Sequence, residues 1–491
     1  MTDYHSIITT YRTALPPGRL LEMPLMGMDR IGVPFWMLTF YPDGGPTNAG
    51  SGYGMADEEA LVGAFGELTE VVSCNRAMRR MPRERGSFHQ MRNRHGPESV
   101  VDPVTLCLEA GSAYSPDQPL QWVPTRRYTT GETVWVPLEF VACQPSDVEG
   151  NSWLITLITN GLGAGLDYDQ AVAHGLLELL QRDGDSVTFR VLADAVALDL
   201  TDVQDEHTWA LLHHLDEQGI EVIAKVASTD FGIPNIYVVG MDREPTAQSP
   251  IMSMACGEAA HPNRERALRK ALLEFAAARS RLGFSHGPLA AVEANTPPGY
   301  LAGHTANYNP ATDEQRALDA MCRLTRMSLE EMRALLGQRV HAVRATCPFN
   351  ALPSNEVGSN PGELAQFVVG RLAAEGFDVL VADFSPPDKP VYAVKVIVPG
   401  LEVETMSYHR IGLRNLRRLM ARNEGLAGIG APPPGAAPIH LTAAAQEELG
   451  GPAWLNIATI ERLVGPLYGL YREPARHAAA LINEGRLSRT V

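Results

Sequence analysis

Ala171-Val-Ala-His-Gly-Leu-Leu-Glu178-Leu-Leu-Gln181-Arg-Asp183 is the stretch on which the reading of this chain turns, because its frame occurs three times. The first copy is Ala60-Leu-Val-Gly-Ala-Phe-Gly-Glu67, with Glu70 one helical turn further on, and the third is Ala267-Leu-Arg-Lys-Ala-Leu-Leu-Glu274. In each copy an alanine precedes a glutamate by seven residues, close to two helical turns, so both lie on one face. The rest of each segment is mostly Leu, Ala, Val, Phe and Gly. A glutamate on so apolar a helix is costly to bury unless it is paired or bound to a metal. One such helix, met alone, reads as carrying a salt-bridged core glutamate. Three of them, with Glu70 as a fourth carboxylate, favour a shared site.

Working outward, residues 153–159 are dense in β-branched and aromatic residues and predict a strand. That strand runs into the glycine loop Asn160-Gly-Leu-Gly-Ala-Gly165, and Asp167-x-x-Gln170 then resembles a capping box for the second glutamate helix. Ser51-Gly-Tyr-Gly54 leads in the same way into the first, whose opening turn carries Asp57, Glu58 and Glu59. Strand, glycine loop and helix start make an arrangement that suits phosphate. The glycine spacing fits neither G-x-G-x-x-G nor the Walker pattern, which excludes a Rossmann or P-loop reading. Further strands are expected at residues 31–41, 134–143, 219–228, 233–242, 341–346, 377–384 and 392–398, and helices at 263–281 and 363–375. The pattern predicts an α/β domain over residues 1–430 with internal pseudo-repeats of strand, glycine loop and glutamate helix. Ala431-Pro-Pro-Pro-Gly-Ala-Ala-Pro438 reads as a proline-rich linker, and residues 439–491 as a small helical C-terminal appendage.

The chain has 491 residues and a net charge of −16, which argues against a general nucleic-acid binder. No apolar run approaches the roughly 18 residues needed to span a membrane, and the N-terminus has no secretory signal. The six cysteines are scattered without metal-ligand spacing, as in a cytoplasmic protein with reduced thiols. Seven arginines fall between Arg76 and Arg94. They read either as a solvated helix end or as a patch for anions or acidic peptide.

These residues resemble the YcaO domain family, whose members activate backbone amides with ATP. The resemblance covers about residues 10–425. Its landmarks are Gly27-Met-Asp-Arg-Ile-Gly-Val-Pro34, Ser51-Gly-Tyr-Gly54 with Gly66-Glu67-x-x-Glu70, and Trp122-Val-Pro with Thr130-Gly-Glu-x-Val-x-Val-Pro137. Further ones are Thr159-Asn-Gly-Leu-Gly-Ala-Gly165 with Gly175-x-x-Glu178, Asp230-Phe-Gly-Ile-Pro234, Ala271-Leu-Leu-Glu274 and Val398-Pro-Gly-Leu401. Each is ordinary alone; their order and spacing together are specific.

The resemblance implies an ATP site built on clustered glutamates and Mg2+. By motif position Glu67, Glu70, Glu178 and Glu274 are the implied Mg2+ ligands. Ser51, Asn160, His174 and, near the N-terminus, Arg12 are implied nucleotide contacts. Arg190 and Lys270 are implied to bind and neutralise phosphate, and are the residues on which catalysis is expected to depend. The chain departs from the family pattern at Gln181, where an acid is common, and at Arg19, where a small hydroxyl is common. The implied activity is phosphorylation of a peptide amide for attack by a Cys or Ser side chain, sulfide or an amine. Implied partners are a peptide or protein substrate, a leader-peptide-binding or sulfur-delivering protein, and a second copy in a homodimer. The alternative is a degenerate binding module that holds a leader peptide or partner enzyme without turning over ATP.

Overall fold

Small residues decide where the three glutamate helices sit. In the computed structural model, which describes residues 3–149, 153–187, 195–244, 249–306, 308–358, 360–388, 390–422 and 424–487, each helix follows a short strand poor in side chains. Asn48–Tyr53 precedes the helix Asp57–Met78, Leu162–Gly165 precedes Tyr168–Asp185, and Cys256–Ala260 precedes Arg264–His286. A Cβ on Gly52 would stand 2.1 Å from the Ala60 carbonyl oxygen, and one on Gly163 2.0 Å from that of Ala171. On Gly257 it would stand 2.0 Å from the Ala271 carbonyl oxygen. Glycine in the strand and alanine in the helix therefore let the two backbones touch. Asp167 and Asn263 cap the second and third helices through their side chains, and the first relies on its acidic opening turn.

Each of these strands forms the edge of a different sheet. Asn48–Tyr53 closes a three-stranded antiparallel sheet with Phe35–Pro42 and Gly18–Pro24. Leu162–Gly165 closes the largest sheet, pairing with Tyr392–Ile397, which continues through Leu380–Asp383 to Leu120–Arg127 and Glu84–Gly86. Cys256–Ala260 closes a five-stranded sheet whose next members are Asn235–Asp242 and Ile220–Ser228. Three local expectations are corrected, the first being the strand expected at 341–346, which forms instead at Thr346–Pro348. No strand forms at 153–159; the ladder is made by the glycine segment itself, where bare backbone can lie both on a helix and beside Tyr392–Ile397. The strand expected at 134–143 ends at Pro137 and gives way to a helical turn, Leu138–Val141.

The third glutamate helix is pinned by charge as well as packing. Arg279 is fully buried and binds Asp29 at 2.6 Å and Asp242 at 3.2 Å, which accounts structurally for the Gly27-Met-Asp-Arg landmark. The C-terminal residues pack into the same body. Ala453–Leu455 is the middle strand between Ala427–Ile429 and Ala437–Pro438, and Ile460, Leu467 and Ala479 share a core with Leu272 and Phe275. Among the described residues no helix is long and apolar enough to cross a membrane.

Candidate active site

Each glutamate of the repeated frame is held by a backbone N–H of the strand before its helix or, for Glu178, of the residue just ahead of that strand. Glu67 Oε2 accepts the Ser51 N–H at 2.6 Å and the Ser51 hydroxyl at 2.8 Å. Glu178 Oε2 accepts the Gly161 N–H at 2.9 Å, and Glu274 Oε2 the Glu258 N–H at 3.4 Å. The close strand–helix contact thus orients the carboxylates too. Gly161 has a φ of +87°, a conformation that glycine adopts without strain.

Glu67, Glu70 and Glu178 form one electrostatic group, to which Tyr53 and Arg182 tie Glu274. Burial raises the pKa of Glu67, Glu70 and Glu274; Glu178 raises Glu67 and Glu70 further, and Glu67 raises Glu70. The Tyr53 hydroxyl donates to Glu274 at 3.4 Å and lies in the field of Glu67, linking the first and third helices. Counter-charge comes from Arg182 and Lys270, both of which lower Glu274. The Arg182 guanidinium stands 3.9 Å from Glu178 and 4.0 Å from Glu258. Although burial opposes it, Glu178, Glu404, Glu258 and Asp185 push its pKa above the ordinary arginine range. His174 Nε2 is 3.8 Å from Glu70, with half of its side chain exposed; desolvation, then Lys270, lower its pKa.

Among the described residues no three His, Cys, Asp or Glu side chains close into a ready-made metal cage. Mg2+ does not need one, since it keeps waters and is commonly held by one or two carboxylates together with substrate phosphates. Repelling carboxylates with raised pKa values, backed by two cations, are a donor set that fits this ion and a phosphate chain.

Seven of the expected residues come together here: Ser51, Glu67, Glu70, His174, Glu178, Lys270 and Glu274. Arg12 is engaged elsewhere, pairing with Glu22 at 2.8 Å and lying over the Phe65 ring. Asn160 lines a small cavity of about 50 Å³ with Lys395 and Arg410, next in the chain to the Gly161 N–H that holds Glu178. Arg190 falls outside the described residues. Tyr53, Arg182 and Glu258 were not anticipated. Arg182 carried a readable signal, standing four residues after Glu178 on one helix face. Tyr53 sits inside a landmark, but nothing local shows that its hydroxyl reaches a helix 221 residues away.

The family pattern described as "YcaO cyclodehydratase, ATP- and Mg2+-binding" matches residues 51–402, and the chain belongs to this family. ATP and Mg2+ are the cofactors of that description. An "uncharacterized protein" of Methanothermobacter thermautotrophicus is 26% identical over 79% of this chain and 90% of its own length. The structure of YcaO from Methanopyrus kandleri bound with AMPPCP and Mg2+ superposes with a TM-score of 0.56 at 21% identity, over 84% of this chain and 94% of that one. A heterocyclase in complex with substrate and cofactor superposes with a TM-score of 0.57 at 16% identity over 82% of this chain. The chain spans 52% of that heterocyclase's length.

Proposed function

We propose that the chain is an ATP- and Mg2+-dependent enzyme that phosphorylates a peptide backbone amide on oxygen. A Cys or Ser side chain, sulfide or an amine adds to the amide carbon, and the oxygen leaves with phosphate. What supports this reading is that Glu67, Glu70 and Glu178 lie in one another's field, with Glu274 tied to them through Tyr53 and Arg182 and with Lys270 and Arg182 as counter-charge. In this reading the four carboxylates hold Mg2+, Ser51 fixes Glu67, and His174 contacts the nucleotide. Lys270 and Arg190 neutralise phosphate, and Asn160, next to the Gly161 N–H that holds Glu178, contacts the nucleotide. Mg2+·ATP, when bound, supplies the phosphoryl group and the cation that relieves carboxylate repulsion. Oriented charge and position, rather than a side-chain nucleophile, then provide the rate advantage.

Residues 1–430 carry this chemistry in the proposal, and 439–491 complete the body beyond the 431–438 connection. The substrate is a peptide or protein, presented alone or by a leader-binding or sulfur-delivering partner. The six cysteines are free thiols, which suits the cytoplasm. A second reading, a module that binds peptide without ATP turnover, draws support from Gln181 and from the commitment of Arg12 to Glu22. The test is to titrate AMPPCP with and without Mg2+, then to follow ATP consumption and peptide mass together. Water loss reports ring closure, and an oxygen-to-sulfur mass gain reports a thioamide. Tight peptide binding with no nucleotide binding at millimolar Mg2+ would select the second reading.

A further inference from the structure

Glu67 opens onto a cavity of about 270 Å³, many times the roughly 30 Å³ of a water molecule. Ser51 and Glu67 form one side; Arg281 and His286 of the third glutamate helix, with Glu473 and Arg476 of the C-terminal segment, form the other. Glu473 is already committed. Its carboxylate accepts two hydrogen bonds from Arg281, at 2.5 and 2.8 Å, and lies 3.4 Å from His286 Nε2. Burial alone would raise Glu473, but Arg281 and His286 hold it well below the usual carboxylate range. It therefore stays ionised and fastened to the third helix.

Arg476 is placed differently. Its guanidinium meets the Tyr300 hydroxyl at 3.5 Å, Met37 Sδ at 3.4 Å and the Phe284 ring at 5.4 Å, and no carboxylate among the described residues. A guanidinium carries five N–H donors, so most of this one's capacity is unfilled. On the same wall the His286 side chain is 1% exposed and its Nδ1 has no partner. A half-buried arginine and a buried histidine with spare hydrogen-bonding capacity, on a wall made rigid by a bidentate ion pair, suit an oxyanion.

We propose that this cavity is an oxyanion subsite, in which Arg476 and His286 bind a phosphoryl or carboxylate group and the Glu473–Arg281 pair holds their wall in place. The proposal rests on the reading of the glutamate cluster as an ATP site acting on peptide. Glu67, across the cavity, repels a bare anion. A phosphoryl group escapes that repulsion when Mg2+ bridges it to Glu67, and a carboxylate when it is seated on the far wall against Arg476, so nucleotide and peptide are the two sources.

The experiment titrates the full chain with Mg2+·AMPPCP, inorganic phosphate and acetate by calorimetry, for wild type, Arg476→Gln, Arg476→Lys and His286→Gln. Arg476→Gln is expected to weaken at least one of the three by on the order of tenfold, with partial recovery in Arg476→Lys. A loss shared by AMPPCP and phosphate assigns the subsite to the nucleotide; a loss confined to acetate assigns it to a peptide carboxylate. His286→Gln is expected to show the same selectivity, so the result does not depend on one variant folding. Should wild type bind no AMPPCP while phosphate or acetate binding still depends on Arg476, the ATP reading fails and the subsite stands. Equal binding of all three ligands by wild type and the folded variants overturns the subsite, as does no binding of any of them by wild type.

Discussion

Glu178 accepts a backbone N–H from Gly161 and faces the negative charge of Glu67 and Glu70. In Glu178→Gln the amide oxygen can still accept that hydrogen bond, while the like-charge repulsion is gone. The unliganded thermal midpoint is expected to hold or rise, and affinity for Mg2+·AMPPCP to fall by on the order of tenfold or more. Calorimetry and a thermal melt on the same preparation check both halves; a marked loss of unliganded stability would return Glu178 to the role of a salt-bridged core residue. Lys270→Ala should abolish peptide-dependent ATP turnover and lower the melting temperature only modestly, because Glu274 loses one counter-charge and keeps Arg182. The period that puts Glu67, Glu178 and Glu274 on matching helix faces was legible in the sequence, since a carboxylate at a fixed helical period on an apolar segment is itself a signal. Tyr53 and Glu258 were not, because their roles depend on partners brought from other elements.

At the scale of elements, the contact between glycine strand and glutamate helix is the unit that builds the site. Gly163→Ala places a methyl carbon 2.0 Å from the Ala171 carbonyl oxygen, and backbone there cannot yield cheaply. A destabilisation of on the order of 3 kcal/mol or more is expected in urea unfolding. Gly44→Ala, with nothing within 4 Å of the new carbon, should change stability by less than about 0.5 kcal/mol. The C-terminal end of the second glutamate helix offers a pH test. Asp183 there accepts the Glu402 N–H at 2.9 Å, and Glu402 is itself fully buried. Burial and Asp183 raise the Glu402 pKa to about 8, against the backbone N–H groups of Asn415 and Gly412. The native chain therefore keeps a proton that the unfolded chain gives up near its ordinary value of 4.5. Stability from this group is fully present below that value and is lost as pH rises toward 8, by about 1.4 kcal/mol per pH unit. Unfolding free energies measured from pH 5 to 8 should show a slope that is flatter in Glu402→Gln; identical slopes would refute the assignment.

For the whole molecule, the C-terminal segment is part of the body. Removing the residues after Gly430 strips away the middle strand Ala453–Leu455 and opens the core around Leu272 and Phe275. The truncated chain is expected to melt lower by on the order of 10 °C or more, and to bind a hydrophobic dye that the full chain excludes. A melt matching the full chain would instead support an independent appendage. Much of this protein could be determined from its sequence alone: mixed α/β architecture, three apolar helices each aiming a glutamate from one face, and the ordered landmarks of a family. Those properties are local, because helical period and glycine placement act within a few residues of themselves. Only the tertiary structure decided that the glycine segments are edge strands of three different sheets, that Arg12 turns to Glu22, and that Arg281 meets Glu473 from 192 residues away. Which faces meet is settled by burial of surfaces far apart in the chain, and local periodicity carries no record of that partner choice.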